Sequence, residues 1–88
     1  MKAYPILLNL SGKLATVIGG GAVGKRRAEM LLACGARVRL VDPNAEATLQ
    51  GAESLAEEYQ SRHLDGAQLV FACTDDRETN ARIARDAR

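Results

Sequence analysis

A chain of 88 residues is long enough for one domain, or for part of one, and it can bury only a small core. Apolar residues make up 47% and charged residues 26%, which is typical of a globular protein and excludes a disordered one. The formal net charge of +1 excludes a general electrostatic attraction to nucleic acid or to an anionic membrane surface.

The two cysteines, Cys34 and Cys73, are far apart and belong to no CxxC motif or Cys/His cluster, so no metal site is predicted. Both lie among small apolar residues and are predicted to be buried free thiols, with a disulfide as the alternative. The apolar start of the chain is interrupted by Pro5 and Asn9 and lacks the build of a signal peptide. No stretch reaches transmembrane length, so we expect a cytoplasmic protein without a membrane partner.

The first third of the chain predicts an extended segment, a strand and a helix. Tyr4–Leu10 is predicted to be an extended lead-in that is closed by a turn at residues 11–13. The apolar run Leu14–Ile18 ends at glycines, which is typical of a buried parallel strand. A helix is predicted from about Ala22 to Cys34, and Gly35 is predicted to end it.

The middle of the chain is harder to interpret. A second strand is predicted over Val38–Asp42, and it is broken by Pro43–Asn44, where the asparagine can cap a following helix. Residues 45–59 have helical spacing, but Gly51 interrupts it. An alternating α/β fold requires a third strand before Leu64, and we place it near Leu55–Gln60.

The last part of the chain predicts one more strand and one more helix. Leu69–Cys73 has the pattern of a buried strand, and Asp75 with Glu78 resembles a capping box. The helix that follows carries a stripe at helical spacing, formed by Asn80, Ile83, Ala84 and Ala87. No residue that would end this helix is found before Arg88. Strands that alternate with helices imply a parallel sheet with right-handed crossovers. We therefore predict an α/β, Rossmann-type sheet with strand order 3-2-1-4 and flanking helices.

The sequence GGGAVG after the first strand fits the pattern G-x-G-x-x-G and has the required context, a strand before it and a helix after it. Gly19 permits the tight turn, Gly21 lets a pyrophosphate approach the backbone, and Gly24 lets the helix press against the sheet. The N–H groups near Ala22 and Val23, together with the helix dipole, form an anion site. The alternative is a turn without function, but three glycines destabilise a turn that needs only one.

Asp42, at the end of the second strand, indicates which dinucleotide is bound. A carboxylate at this place accepts hydrogen bonds from the adenosine ribose hydroxyls and repels a 2′-phosphate, which favours NAD over NADP. The alternative is a turn residue that ends the strand before Pro43. Arg39 is the nearest cation, but its place inside the strand is wrong for that phosphate.

Three further features have a functional and a structural interpretation. Thr74 and Asp75 follow the fourth strand at the sheet edge where ligands of such folds bind, although Asp75 is alternatively a helix cap. The basic run Lys25–Arg27 either compensates anionic charge or is a solvated helix face. His63, the single histidine, is predicted to be a solvated loop residue rather than a catalyst.

Four stretches of the sequence together share the pattern of one known family. They are Tyr4–Leu10, Val17–Gly24, Leu31–Ala36, and Leu69–Asp76 with Asn80. The chain resembles, over essentially all its length, the N-terminal module of sirohaem synthase and the related stand-alone precorrin-2 dehydrogenases. The lead-in and the T-D-D-x-x-x-N stretch are more specific for this family than the glycines.

The resemblance implies that NAD⁺ accepts a hydride from precorrin-2, a tetrapyrrole with many carboxylates, to give sirohydrochlorin. Some members of the family also insert Fe²⁺ to give sirohaem. It implies that the pyrophosphate is held by Gly19, Gly21, Ala22 and Val23. It also implies that Asp42, Pro43 and Asn44 border the adenosine and that Thr74 and Asp75 line the cofactor cleft.

The chain also departs from the family pattern. The family usually has alanine in place of Gly24 and a small residue in place of Asp42. Its further strand, catalytic aspartate and dimerisation region would follow Arg88. We therefore expect residues 1–88 to be the N-terminal part of a longer, homodimeric protein, with the catalytic residue outside them. The alternatives are a dinucleotide-sensing regulatory module and the cofactor domain of another oxidoreductase.

Overall fold

The computed structural model describes residues 8–88, so Tyr4–Leu7 of the predicted lead-in lies outside the described residues. In the described part, strands and helices alternate along the chain, except that no helix separates the second strand from the third. The elements are β1 (Leu14–Ile18), α1 (Ala22–Ala33), β2 (Arg37–Val41), β3 (Glu53–Leu55), a 3₁₀ helix (Ser61–Leu64), β4 (Leu69–Ala72) and α2 (Arg77–Asp86).

The four strands form one parallel sheet with the order β3-β2-β1-β4, which confirms the predicted Rossmann-type topology. Ile18, the last residue of β1, pairs with Val41 of β2 and with Ala72 of β4. The carboxyl ends of these three strands therefore lie side by side, and the loops that follow them meet at one edge of the sheet.

The central strand β1 is buried along its whole length, and its side chains alternate between two apolar clusters. On one face, Ala15 and Val17 pack with Ala28 and Leu31 of α1. On the other face, Ile18 belongs to a smaller cluster, completed by Val41, Tyr59 and Ile83. This two-sided burial explains why β1 is apolar on both faces, with Thr16 as its one polar residue, rather than alternating between apolar and polar residues.

The end of α1 confirms the role of Gly35 but not the burial of Cys34. Gly35 has φ +84°, a left-handed conformation that favours glycine and ends the helix. Cys34 caps the helix at this point and is exposed to solvent. Cys73 is half-buried, and both cysteines are free thiols, so the alternative of a disulfide is wrong.

The segment between β2 and β4 differs most from the prediction. Asn44 caps no helix; its side-chain oxygen accepts the N–H of Glu46 at 2.9 Å and closes a turn. Gly51 has φ +93° in the next turn, so β3 begins soon after it, at Glu53. The predicted strand near Leu55–Gln60 is therefore placed too late. Pairing with β2 decides the position of β3, and the short strand has no strong pattern of its own.

His63 is a second correction, because it is buried in the 3₁₀ helix with 2% of its surface exposed. Its backbone carbonyl accepts hydrogen bonds from Thr16 Oγ1 in β1 and from the Arg39 guanidinium in β2. These contacts between distant parts of the chain anchor the segment beneath the sheet, and they leave no signal near His63 in the sequence.

The start of α2 lies one residue later than predicted. Asp76, not Asp75, is the N-cap, and its Oδ1 accepts the N–H of Glu78 at 3.2 Å. Thr74 Oγ1 accepts the N–H of Asp76, and this turn delays the helix to Arg77. The helix ends at Asp86, and Ile83 is the buried residue of its predicted stripe.

Candidate dinucleotide-binding site

A cleft of about 790 Å³ lies at the carboxyl edge of the sheet, where the loops after β1, β2 and β4 meet. It brings together the predicted site residues except Gly24 and Asn44. Those that line it are Gly19, Gly21, Ala22, Val23, Asp42, Pro43, Thr74 and Asp75. Topology produces this juxtaposition, because parallel strands end at the same edge of the sheet.

At two positions of the glycine loop, a side chain would clash with the backbone of the protein. Gly19 has φ +109°, and a Cβ on it would lie 2.6 Å from the Cys73 carbonyl oxygen. A Cβ on the buried Gly24 would lie 1.7 Å from the Gly19 carbonyl oxygen. Gly24 therefore contributes to the site by allowing α1 to approach the loop closely, as predicted, rather than by lining the cleft.

The N-terminus of α1 is suited to a negatively charged group. The helical bonding begins with the N–H of Lys25 donating to Gly21 O at 2.8 Å, so the amides before Lys25 have no partner inside the helix. Within residues 8–88, no side chain caps this end, and the first turn contains no acidic residue. A Cβ on Gly21 would meet nothing within 4 Å, so the space beside the N-cap is open. Unpaired amides, the positive end of the helix dipole and open space together fit a pyrophosphate.

The carboxylate of Asp42 lies beside the glycine loop and is held by backbone groups. Its Oδ2 accepts the N–H of Gly20 at 2.7 Å, and its Oδ1 accepts the N–H of Asn44 at 2.8 Å. Each carboxylate oxygen can accept a further hydrogen bond, so the group that lines the cleft can also accept from ribose hydroxyls. Asn44 itself lies in the turn behind Asp42 rather than in the cleft wall.

The side chain of Asn80 in α2 holds the loop after β4 in place. Thr74 Oγ1 donates to Asn80 Oδ1 at 2.6 Å, and Asn80 Nδ2 donates to the Thr74 carbonyl at 3.0 Å. This explains the pattern T-D-D-x-x-x-N, whose spacing joins a loop residue to the second turn of the helix. Next to this loop, burial raises the pKa of the Cys73 thiol, although Arg27 opposes the shift.

One wall of the cleft was not predicted from the sequence. It is formed by Glu57, Glu58 and Tyr59, which follow β3, and by Thr79 and Arg82 of α2. Tyr59 is buried, and its hydroxyl donates to Asp86 at 2.7 Å. Burial and this carboxylate raise the pKa of Tyr59 to about 12. The Arg82 guanidinium lies 4.8 Å from the centre of the Tyr59 ring and donates to its carbonyl.

His63 positions this wall without lining the cleft. Its Nδ1 accepts the N–H of Gln60 at 2.9 Å, so the ring proton lies on Nε2 and is donated to Glu57, 2.8 Å away. Hydrogen bonds from His63 and from Arg62 lower the pKa of Glu57. That His63 is not a catalyst stays a prediction. The expectation that it is solvated is wrong, because its ring is buried and hydrogen-bonded, and its role is structural.

Neither the predicted basic run Lys25–Arg27 nor Arg39 lines the cleft. The Arg27 guanidinium lies 5.0 Å from the centre of the Phe71 ring, and none of Lys25–Arg27 lines the cleft in the described part of the chain. Arg39 is bound to Glu53 and to the carbonyl groups of His63 and Asp65. It is therefore not available for a 2′-phosphate, as its place in the strand predicted.

The fold and the cleft define a Rossmann-type dinucleotide-binding domain. The model of the family "Putative NAD(P)-binding" matches residues 6–88, and the chain belongs to this family. The membership confirms a nicotinamide dinucleotide as the cofactor. The described residues include no helix that is long and apolar enough to span a membrane.

Particular relatives confirm the resemblance found in the sequence. The chain is similar to the siroheme synthase of Pseudomonas fluorescens (strain Pf0-1), with 39% identity over 93 residues that cover 99% of this chain and 20% of the relative. The siroheme synthase of Nitrosomonas eutropha is 40% identical over 95 residues, with 100% and 20% covered. The chain thus spans about a fifth of the length of these relatives.

A solved structure shows the same fold. The structure of "SirC, precorrin-2 dehydrogenase" matches with a TM-score of 0.78 and 22% identity, over 94% of this chain and 44% of that chain.

Proposed function

We propose that residues 1–88 are the NAD-binding part of a precorrin-2 dehydrogenase, an enzyme that makes sirohydrochlorin for sirohaem biosynthesis. The observation that carries the proposal is the uncapped N-terminus of α1, which faces open space at Gly21 in the same cleft as Asp42. Similarity to siroheme synthases over 99% of the chain supports the choice of pathway.

In this proposal, each loop holds one part of the dinucleotide. The amides at Ala22 and Val23 bind the pyrophosphate, and Gly21 leaves room for it. Asp42 accepts hydrogen bonds from the adenosine ribose, and Pro43–Asn44 border the adenosine. Thr74–Asp75 form the opposite wall. When bound, NAD⁺ supplies the hydride acceptor, and the residues of this chain bind and orient it.

Titration of the protein with NAD⁺ by calorimetry tests the cofactor site, and saturable binding is the expected result. NADP⁺ is expected to bind at least roughly tenfold more weakly, because its 2′-phosphate would lie beside the Asp42 carboxylate and lose the ribose hydrogen bonds. Asp42→Asn should narrow this difference because it removes the like-charge repulsion.

Glu46→Gln is the matched control, because it removes an exposed carboxylate from the same loop. It should leave the ratio of the two affinities unchanged. Equal affinity of the native protein for both dinucleotides, or a preference for NADP⁺, would contradict the assignment of Asp42. The absence of binding by either dinucleotide would contradict the proposed cofactor site as a whole.

The substrate is tested by supplying precorrin-2 and NAD⁺ to the 88-residue chain and to the longest protein that its gene encodes, and following NADH absorbance. We expect no turnover by the short chain, because hydride transfer requires a donor held about 3–3.5 Å from the acceptor, and this chain contributes the cofactor side of that geometry. Turnover by the short chain would place the catalytic group within these residues. A longer protein that binds NAD⁺ without turnover would favour a dinucleotide-sensing module.

A further inference from the structure

The middle glycine of the loop is fixed by the segment that follows β2. Gly20 is buried, and its N–H donates to Asp42 Oδ2 at 2.7 Å. A Cβ on Gly20 would lie 2.6 Å from Ala47 Cβ and 3.2 Å from Asp42 Cβ. Gly20 has no positive φ that would demand glycine. It is therefore the packing of the β2–β3 segment against the loop that leaves no room for a side chain here.

The Asp42 carboxylate also organises the segment that packs on Gly20. Its second oxygen accepts the N–H of Asn44 at 2.8 Å, and the Asn44 carbonyl accepts the N–H of Ala47 at 2.9 Å. This turn places the Ala47 methyl group against Gly20. We call these four residues, Gly20, Asp42, Asn44 and Ala47, the Asp42 brace.

We infer that Asp42 is a positioning residue for the pyrophosphate loop, a role separate from its proposed contact with the ribose. The inference rests on the proposed dinucleotide site. A loop of consecutive glycines has many accessible conformations, and ordering it on binding would cost affinity. The Asp42 brace holds the loop before the ligand arrives. It also engages the Gly20 amide, which leaves the amides at the start of α1 to bind the phosphates.

Two ligands separate the positioning role from the ribose contact. ADP carries both ribose hydroxyls, whereas 2′,3′-dideoxy-ADP carries neither, so a purely ribose-binding Asp42 has nothing to bind in the second ligand. The affinities of both ligands are measured by calorimetry for the native protein and for Asp42→Ala. We expect Asp42→Ala to weaken the binding of 2′,3′-dideoxy-ADP by about fivefold or more. The binding of ADP should weaken by a larger factor, because ADP loses the ribose contact as well as the positioned loop.

A second pair of variants tests the brace without changing the carboxylate. Gly20→Ala should weaken 2′,3′-dideoxy-ADP, because the added methyl group pushes Ala47 away from the loop. The double variant Gly20→Ala/Ala47→Gly removes the closer contact at 2.6 Å and should recover part of the affinity.

Hydrogen exchange at the Gly20 amide gives an independent measurement, and it should be faster in Asp42→Ala than in the native protein. Glu46→Gln is again the control, and it should change neither affinity nor exchange.

The outcomes distinguish this inference from the proposed function. If the native protein binds neither ADP nor NAD⁺, the proposed cofactor site is wrong. The other outcome concerns a native protein that does bind ADP and NAD⁺. If the Asp42→Ala variant is folded by circular dichroism and binds 2′,3′-dideoxy-ADP as tightly as the native protein does, the positioning role alone is wrong. Unchanged exchange at Gly20 in that variant would overturn it as well.

Discussion

Gly21→Val is expected to weaken NAD⁺ binding by at least roughly a hundredfold, a loss of about 2.7 kcal/mol. Gly21 is the N-cap of α1, and a Cβ on it would meet nothing within 4 Å; this open space is where we propose that the pyrophosphate binds. A branched side chain would fill this space and separate the phosphates from the helix amides.

The fold should survive this substitution. Gly21 has φ −72° and ψ −169°, an extended conformation that valine adopts without strain. The control is Ala33→Val, which adds the same side chain to an exposed position at the other end of α1. It should leave NAD⁺ affinity unchanged in calorimetry. A Gly21→Val protein that unfolds like the native protein and retains its NAD⁺ affinity would show that the phosphates bind elsewhere.

Gly24→Val is expected to lower the free energy of unfolding by on the order of 3 kcal/mol, the upper part of the range for overpacked cores. The Cβ alone would lie 1.7 Å from the Gly19 carbonyl oxygen, and both partners are backbone-fixed, so α1 must move away from the loop. This is a large fraction of the total stability of a small domain, which is about 5–15 kcal/mol.

Urea unfolding measures this effect, with Arg26→Val as the control on the same turn of the helix. Arg26 is exposed, and its replacement should change the free energy of unfolding by no more than about 0.5 kcal/mol. Native-like stability of Gly24→Val would mean that α1 does not need the close approach that glycine permits. The family resemblance gives alanine as the usual residue here, so this chain allows a closer approach of helix and loop than an alanine would.

The features that the sequence determined are those with a local cause. An apolar run followed by spaced glycines predicts a strand, a tight turn and a helix start, and β1 and α1 are found there. Gly35 ends α1 because glycine, which has no Cβ, adopts a left-handed φ without strain, and this depends on the residue type alone. The strand order followed from the general rules of parallel crossovers, which act on the alternation of elements rather than on individual side chains.

The tertiary structure decided the features whose cause lies far along the chain. β3 is three residues long and takes its position from pairing with β2, which brings Glu57–Tyr59 into the cleft wall. His63 is buried because groups in β1 and β2 bind its carbonyl. Gly20 and Asp42 are 22 residues apart and meet through a backbone amide, which every residue except proline carries. Contacts of this kind have no side-chain signature in the sequence, so the fold alone reveals them.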